Sequence, residues 1–174
     1  MAQWAYDHEY GSITLQSGER CDDVFVDYVV DLIHDIKAIG DGSLGITMCV
    51  GEQSEEAYRR MREAGASRYL LRIETTNKEL YHKIHPRDEL HSFETRVECL
   101  RRLRRVGFQV GTGVMIGLPG QTEEDLVNDI LFYRDLDIDM IGMGPYVVHH
   151  DTPLGPAALA MGLDDDDGQL RRHQ

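Results

Sequence analysis

Basic residues are scarce in this chain of 174 residues: Lys and Arg number 18 against 31 Asp and Glu, a formal net charge of -13. A field of that sign repels polyphosphate backbones and anionic lipid, so nucleic acid and membrane surfaces are excluded as default partners. Long apolar runs are missing too. None approaches the roughly 20 residues needed to span a bilayer. The opening stretch, MAQWAYDHEYGS, has no basic region followed by an apolar one, hence no secretory signal. Cysteine is sparse: Cys21, Cys49 and Cys99 lie far apart. An odd set without close pairs argues against a disulfide framework and against a metal clip, and fits a reducing cytoplasm. No Pro/Gly/Ser-rich linker or sequence repeat divides the chain, and a hydrophobic content of 41% is ordinary for one globular domain.

What is present is alternation. Short β-rich runs, SITLQS (12–17), GITMCV (45–50), RYLLRIET (68–75), FQVGTGVMIG (108–117) and MIGMGPYVV (140–148), are each followed by a segment of helical period. Those segments are 22–39, 54–65, 77–84 with 92–107, 121–136 and 155–162. Five strand-then-helix units predict a parallel sheet with helical crossovers. Asp22 or Asp23, Ser54, Ser92 and Thr122 occupy N-cap positions, and Gly65 and Gly107 follow the last periodic residues.

Strand parity then separates two faces. Ile46, Met48 and Val50 share a side opposite Thr47 and Cys49, and Tyr69, Leu71 and Ile73 oppose Leu70, Arg72 and Glu74. Ile13 and Leu15 likewise oppose Thr14 and Gln16, and Val114 and Ile116 oppose Gly113, Met115 and Gly117. One face is bulky and apolar and suits packing under helices. The other is polar or small. A doubly wound sheet buries both faces, and a filled eight-stranded barrel places branched residues inside. The pattern predicts instead a barrel, or open barrel, around a polar cavity, with ligand chemistry at the C-terminal strand ends.

The glycines of GTGVMIGLPGQTEEDL (111–126) resemble a phosphate loop but fail its requirements. No Lys-Ser/Thr follows Gly120, and the spacing of Gly111, Gly113 and Gly117 is not G-x-G-x-x-G. The helix start carries Glu123, Glu124 and Asp125, which repel phosphate but suit the macrodipole, with Thr122 and Asp125 spaced as a capping box. These glycines either clear room for a ligand lying against the strand or permit close packing. Arg72 and Glu74 form either a ligand-facing charged set or a structural ion pair. Arg96 lies within the apolar stripe of Phe93, Val97, Leu100 and Leu103, so it either snorkels or grips a carboxylate with its planar fork. Glu19, just past QSG, is a ligand contact or a helix-start acid. His149 and His150 are adjacent and point apart on an extended chain, which favours a surface or loop-capping role over metal. The run Asp164–Asp167 reads as a solvated turn or a helix start, since calcium needs spaced ligands.

TLQSGE, RYLLRIETTN, SFETR, GVMIGLPGQTEEDL and DMIGMGPYVVHHDTPL together resemble the radical S-adenosylmethionine enzymes. Within them they most resemble the HydE maturases of iron-iron hydrogenase, with biotin synthase and methylornithine synthase as similar relatives. The resemblance runs from about residue 5 to residue 168. It implies a partial parallel (βα) barrel of about five βα units over 1–168, with a frayed tail at 169–174. It implies S-adenosylmethionine across the C-terminal strand ends. By matching position Glu19 meets the methionine amino group, Arg96 the methionine carboxylate, Glu74 the ribose hydroxyls, and Met115 and Leu118 the adenine. Thr47, Cys49 and Arg72 face the substrate cavity.

The family's 4Fe-4S cluster is bound by CxxxCxxC after its first strand, and that motif, with the first strand, is missing from this sequence. Cys21, Cys49 and Cys99 fall on three different βα units and do not replace it. The chain therefore reads as an internal piece of a HydE-like enzyme. The whole enzyme is expected to cleave S-adenosylmethionine reductively to a 5′-deoxyadenosyl radical that acts on a small organometallic or amino-acid-derived substrate. Other hydrogenase maturation proteins are its expected partners, and the piece alone is expected to be inactive, with no catalytic or metal-binding residues assigned. The competing expectations are a non-catalytic S-adenosylmethionine-binding fragment and a biotin synthase-like or methylornithine synthase-like enzyme.

Overall fold

Each strand is followed by a segment that cannot remain extended, because its apolar residues recur at helical period and a capping side chain opens it. The computed structural model describes residues 1–86, 88, 91–149 and 151–162. It contains α1 (Ala2–Asp7), β1 (Ser12–Gln16), α2 (Asp23–Lys37), β2 (Gly45–Cys49), α3 (Glu55–Glu63), β3 (Arg68–Leu70), α4 (Lys78–Ile84), α5 (Phe93–Val106), β4 (Gln109–Ile116), α6 (Glu123–Asp135), β5 (Met140–Pro145) and α7 (Gly155–Ala160). The side chains of Asp22, Ser54, Ser92 and Thr122 each accept a backbone N–H at the start of their helices. Thr122 and Asp125 form a reciprocal capping box. Gly107 closes α5 in the left-handed region, φ 91°.

The five strands form one parallel sheet in the order β1-β2-β3-β4-β5. Sequential order without reversal has no topological switch point of the doubly wound kind; it winds in one direction, as a barrel wall does. The register aligns Ile46 with Ile13 and Met48 with Leu15, then Tyr69 with Met48 and Val110 with Tyr69, so the apolar side chains form a continuous surface. Ile46, Met48, Tyr69, Leu71 and Val110 pack there against Val29 and Ile33 of α2, Tyr58 and Met61 of α3 and Leu100 and Leu103 of α5 in one core. Ile13 and Leu15 are only half-buried because β1 lies at the edge of the sheet.

Two elements differ from the sequence expectation. The helix α1 has no side-chain N-cap and no acidic first turn, so nothing in its sequence marks a start. The run 68–75 is regular only through Leu70. Beyond it the N–H groups of Ile73 and Glu74 both donate to the carbonyl of Gly113, at 3.1 and 2.9 Å. Two residues opposite one is a bulge, and it turns the strand end so that Glu74 rejoins only as a single bridge to Val114. His150, the Asp164–Asp167 run, the expected boundary at 168 and the 169–174 tail lie outside the described residues. Among the described residues no helix is long and apolar enough to cross a membrane.

Candidate ligand site at the carboxyl ends of the strands

The second face of the sheet opens onto a hollow of about 460 Å³, lined among others by Glu19, Cys49, Arg72, Glu74, His91 and Arg96. These residues come from the ends of β1, β2 and β3 and from the start of α5, regions up to 77 positions apart in sequence. The helix start aims Arg96: Ser92 caps α5, and one turn later the side chain emerges on the buried stripe, only 4% exposed.

Arg96 is surrounded by acceptors. Its Nη1 donates to Glu19 Oε1 at 3.0 Å and its Nε to Tyr81 Oη at 3.3 Å. Nε also lies 2.9 Å from Glu52 Oε1. Neither Glu52 oxygen achieves hydrogen-bond geometry, however, so this is a contact of charges rather than an aligned bond. Burial pushes the Glu52 carboxyl up to about 7 against the pull of Arg96. The other Glu19 oxygen lies 2.8 Å from His91 Nε2, and His91 Nδ1 lies 2.7 Å from Asp88 Oδ1. Burial lowers the His91 imidazole, but the bond to Asp88 and the Glu19 charge outweigh it and leave the ring above its ordinary value. Gly51 makes room for Glu19. Its φ is 78°, and a Cβ there would lie 2.4 Å from the Glu19 side chain.

Arg72 and Glu74 face the same hollow and hold each other. Arg72 Nε and Nη2 donate to the two Glu74 oxygens at 2.8 and 3.0 Å. The remaining donors go to the carbonyls of Gly142, at 3.1 Å, and Val114, at 2.9 Å, so one guanidinium ties β3 to β4 and β5. Of the two roles open to the glycines, close packing accounts for Gly113. A Cβ there would lie 1.8 Å from the Gly142 carbonyl oxygen and 3.1 Å from Arg72 Nη1. The bare backbone at that position is filled by protein.

Glu19, Glu74, Arg96, Cys49 and Arg72 are thus brought together. Thr47 is half-buried on the Cys49 side of β2 without being among the residues that line the hollow. Met115 and Leu118 are not in it either: Leu118 is 2% exposed in a separate apolar cluster with Leu80, Tyr146 and Val148, against which Met115 packs. Met115 nevertheless touches the site through its backbone, donating to the Glu74 carbonyl at 3.0 Å. Burial raises the Cys49 thiol against the opposing charge of Arg72, so it stays protonated at neutral pH. His149 accepts the Asp151 N–H on its Nδ1 at 3.2 Å, a loop-capping contact.

Sequence reasoning gave no role to Glu52, Tyr81, His85 or His91. Glu52 follows the Gly51 turn, a strand end, and was detectable as an acid at a C-terminal rim. Tyr81 carries His85 stacked on its ring at a centroid distance of 3.8 Å. Neither this stacking nor the place of His91 beside Glu19 leaves a mark in local pattern.

A parallel sheet wound in one direction, with acids and arginines converging on a hollow at the carboxyl ends of its strands, is the wall of a βα barrel. The profile of the Radical SAM superfamily matches residues 1–133, and the chain belongs to that superfamily. It is 46% identical over 144 residues to "[FeFe] hydrogenase maturase subunit HydE" of Thermotoga maritima, covering 82% of this chain and 39% of that protein. It is 29% identical over 140 residues to "Biotin synthase" of Aquifex aeolicus, covering 79% of this chain and 40% of that protein. The chain spans about two fifths of the length of these curated relatives. The crystal structure of methylornithine synthase (PylB) overlays with a TM-score of 0.75 at 23% identity, covering 88% of this chain and 44% of that one, which speaks for the fold alone.

The superfamily implies S-adenosylmethionine and a 4Fe-4S cluster. Among the described residues no group of three or more His, Cys, Asp or Glu side chains could hold a metal ion. Cys21 is exposed, Cys49 half-buried and Cys99 buried, on separate units. The described residues do not fit an iron–sulfur cluster. They do fit a ligand carrying both an ammonium and a carboxylate, because Arg96 and Glu19 stand 3.0 Å apart facing one hollow.

Proposed function

We propose that the hollow binds S-adenosylmethionine, with Arg96 taking the methionine carboxylate, Glu19 the amino group and Glu74 the ribose hydroxyls. The observation that carries this reading is the convergence of those three side chains on one hollow. Glu19 and Arg96 neutralise each other across 3.0 Å. A ligand bearing an ammonium and a carboxylate on one carbon can enter between them and give each a new partner of opposite charge, so neither side chain is left buried and unpaired. Each Glu74 oxygen accepts one hydrogen bond from Arg72 and keeps a lone pair for a hydroxyl. We assign adenine to the rim beyond the hollow, beside Leu118 and the backbone of Met115 next to Glu74, and a small substrate to the space beside Cys49 and Arg72, with Thr47 on the same face of β2.

In the whole enzymes of this superfamily a cluster held by residues outside this chain would supply electron transfer. The role assigned to this chain is to bind and orient. We further propose that the whole enzyme is a HydE-type maturase acting in the cytoplasm on a small organometallic or amino-acid-derived substrate, alongside other hydrogenase maturation proteins. The 46% identity to the Thermotoga maritima HydE supports that assignment. Titration calorimetry of the wild-type chain and of Arg96→Ala with S-adenosylmethionine tests the binding. Heat from the wild type and none from the variant is expected, and silence from both overturns the reading. Anaerobic reconstitution with iron and sulfide is expected to give no 5′-deoxyadenosine above background; turnover overturns the assignment of this chain to binding alone.

A further inference from the structure

Glu74 holds a backbone conformation that its residue type disfavours. Its φ is 64°, in the left-handed region, which costs a residue with a side chain about 1 kcal/mol or more. The surrounding structure must therefore keep it there: β4 holds the N–H and carbonyl of Glu74 itself, through Gly113 and Met115, and α6 holds the residues that follow. Asp129 on that helix is 0% exposed. Its Oδ1 accepts both the backbone N–H of Thr76, at 2.8 Å, and the Thr76 hydroxyl, at 2.7 Å. One turn earlier Asp125 Oδ1 accepts the Asn77 amide at 2.9 Å. The helix thus grips two consecutive residues immediately beyond Glu74-Thr75. Within the turn Thr75 N donates to the Ile73 carbonyl at 2.8 Å, and Asn77 N donates to Thr75 Oγ1 at 3.2 Å.

Asp129 is a poor choice for stability alone. Its Oδ2 is buried without a hydrogen-bond partner among the described residues, and burial raises its carboxyl against the Thr76 bonds that hold it down. An unsatisfied buried oxygen is costly where an apolar side chain would pack without penalty. What the acid provides is one oxygen that accepts both the backbone and the hydroxyl donor of Thr76.

We propose that Asp129 is a positioning residue of the adenosyl site, acting through Thr76 to hold Glu74 in its left-handed conformation with the carboxylate facing the hollow. This rests on the assignment of Glu74 to the ribose hydroxyls. Arg72 orients the carboxylate from within the hollow, and Asp129 fixes the backbone from the opposite side.

The test uses this chain and two ligands, 5′-methylthioadenosine and its 2′-deoxy counterpart, with affinities measured by calorimetry. Loss of folded fraction lowers both affinities by the same factor, so their ratio reports the ribose contact and not stability. Wild type is expected to prefer the ribonucleoside by roughly tenfold, one charge-assisted hydrogen bond's worth. Asp129→Ala is expected to bring the ratio below about threefold. Asp129→Asn is expected to keep it, because the amide oxygen can accept both Thr76 donors. A full ratio in Asp129→Ala overturns the inference. Should that variant not fold, Thr76→Val, which removes only the hydroxyl bond, decides: a reduced ratio supports the inference and an unchanged one overturns it. A wild type that binds neither ligand, or both equally, sinks the ribose assignment and this inference with it.

Discussion

Met48 and Cys49 are neighbours on one strand and live in different chemistry. Met48 is fully buried among the helices, whereas Cys49 faces a hollow lined by Glu19, Arg72, Glu74 and Arg96. The helix-covered face is held by apolar contact, which is non-directional and tolerates rearrangement. The hollow face is held by pairs of charges that satisfy one another: Glu19 with Arg96, and Glu74 with Arg72. The first face sets stability, and the second holds the groups proposed for recognition in mutually neutralised pairs. A substitution should therefore report which face it strikes by what it changes.

Met48→Ala gives the largest effect on stability. The side chain is 0% exposed in the main core, and its truncation is expected to cost about 2–5 kcal/mol. Urea unfolding measures this, and S-adenosylmethionine affinity corrected for folded fraction should stay unchanged. A corrected affinity that falls with stability would erase the distinction between the two faces.

The division into faces was legible in the sequence because side-chain period two is local: Ile46, Met48, Tyr69 and Leu71 all went to the core as expected. Arg96 was legible for the same kind of reason, as a cation within an apolar helical stripe. Its partners were not. Glu52, Tyr81 and His91 reach it or its neighbour Glu19 from three separate loop or helix ends, and such meetings are decided by tertiary winding. The bulge at Ile73-Glu74 was hidden as well, since its cause lies in the Gly113 carbonyl across the sheet and in Thr76 and Asn77 docking on α6.

The second effect is pH-dependent and opposite in sign. Glu52 is pushed up to about 7 by burial. A carboxyl raised in the folded state contributes fully below its unfolded value, and that contribution is lost as pH rises through 7, because ionisation inside the fold costs more than ionisation outside it. Glu52→Gln removes the ionisation. It is expected to stabilise the chain by roughly 1–3 kcal/mol at pH 8 and to make little difference near pH 4.5. Thermal melts of both proteins across that range would show the gap opening with pH. A gap that closes as pH rises would mean that Glu52 is bound to Arg96 as a stabilising anion, and that the hollow face, like the other, contributes to stability.

Gly144 gives the smallest effect and separates two reasons for bare backbone. At Gly113 an added methyl strikes the Gly142 carbonyl, yet at Gly144, two residues further along β5, it meets nothing within 4 Å. Close strand packing explains the first glycine and cannot explain the second. Gly144→Ala is therefore expected to leave stability within about 0.5 kcal/mol of wild type by urea unfolding. A loss beyond about 1 kcal/mol would mean that glycine is required there by the fold itself, and the bareness of this face would then owe nothing to the space left for a ligand.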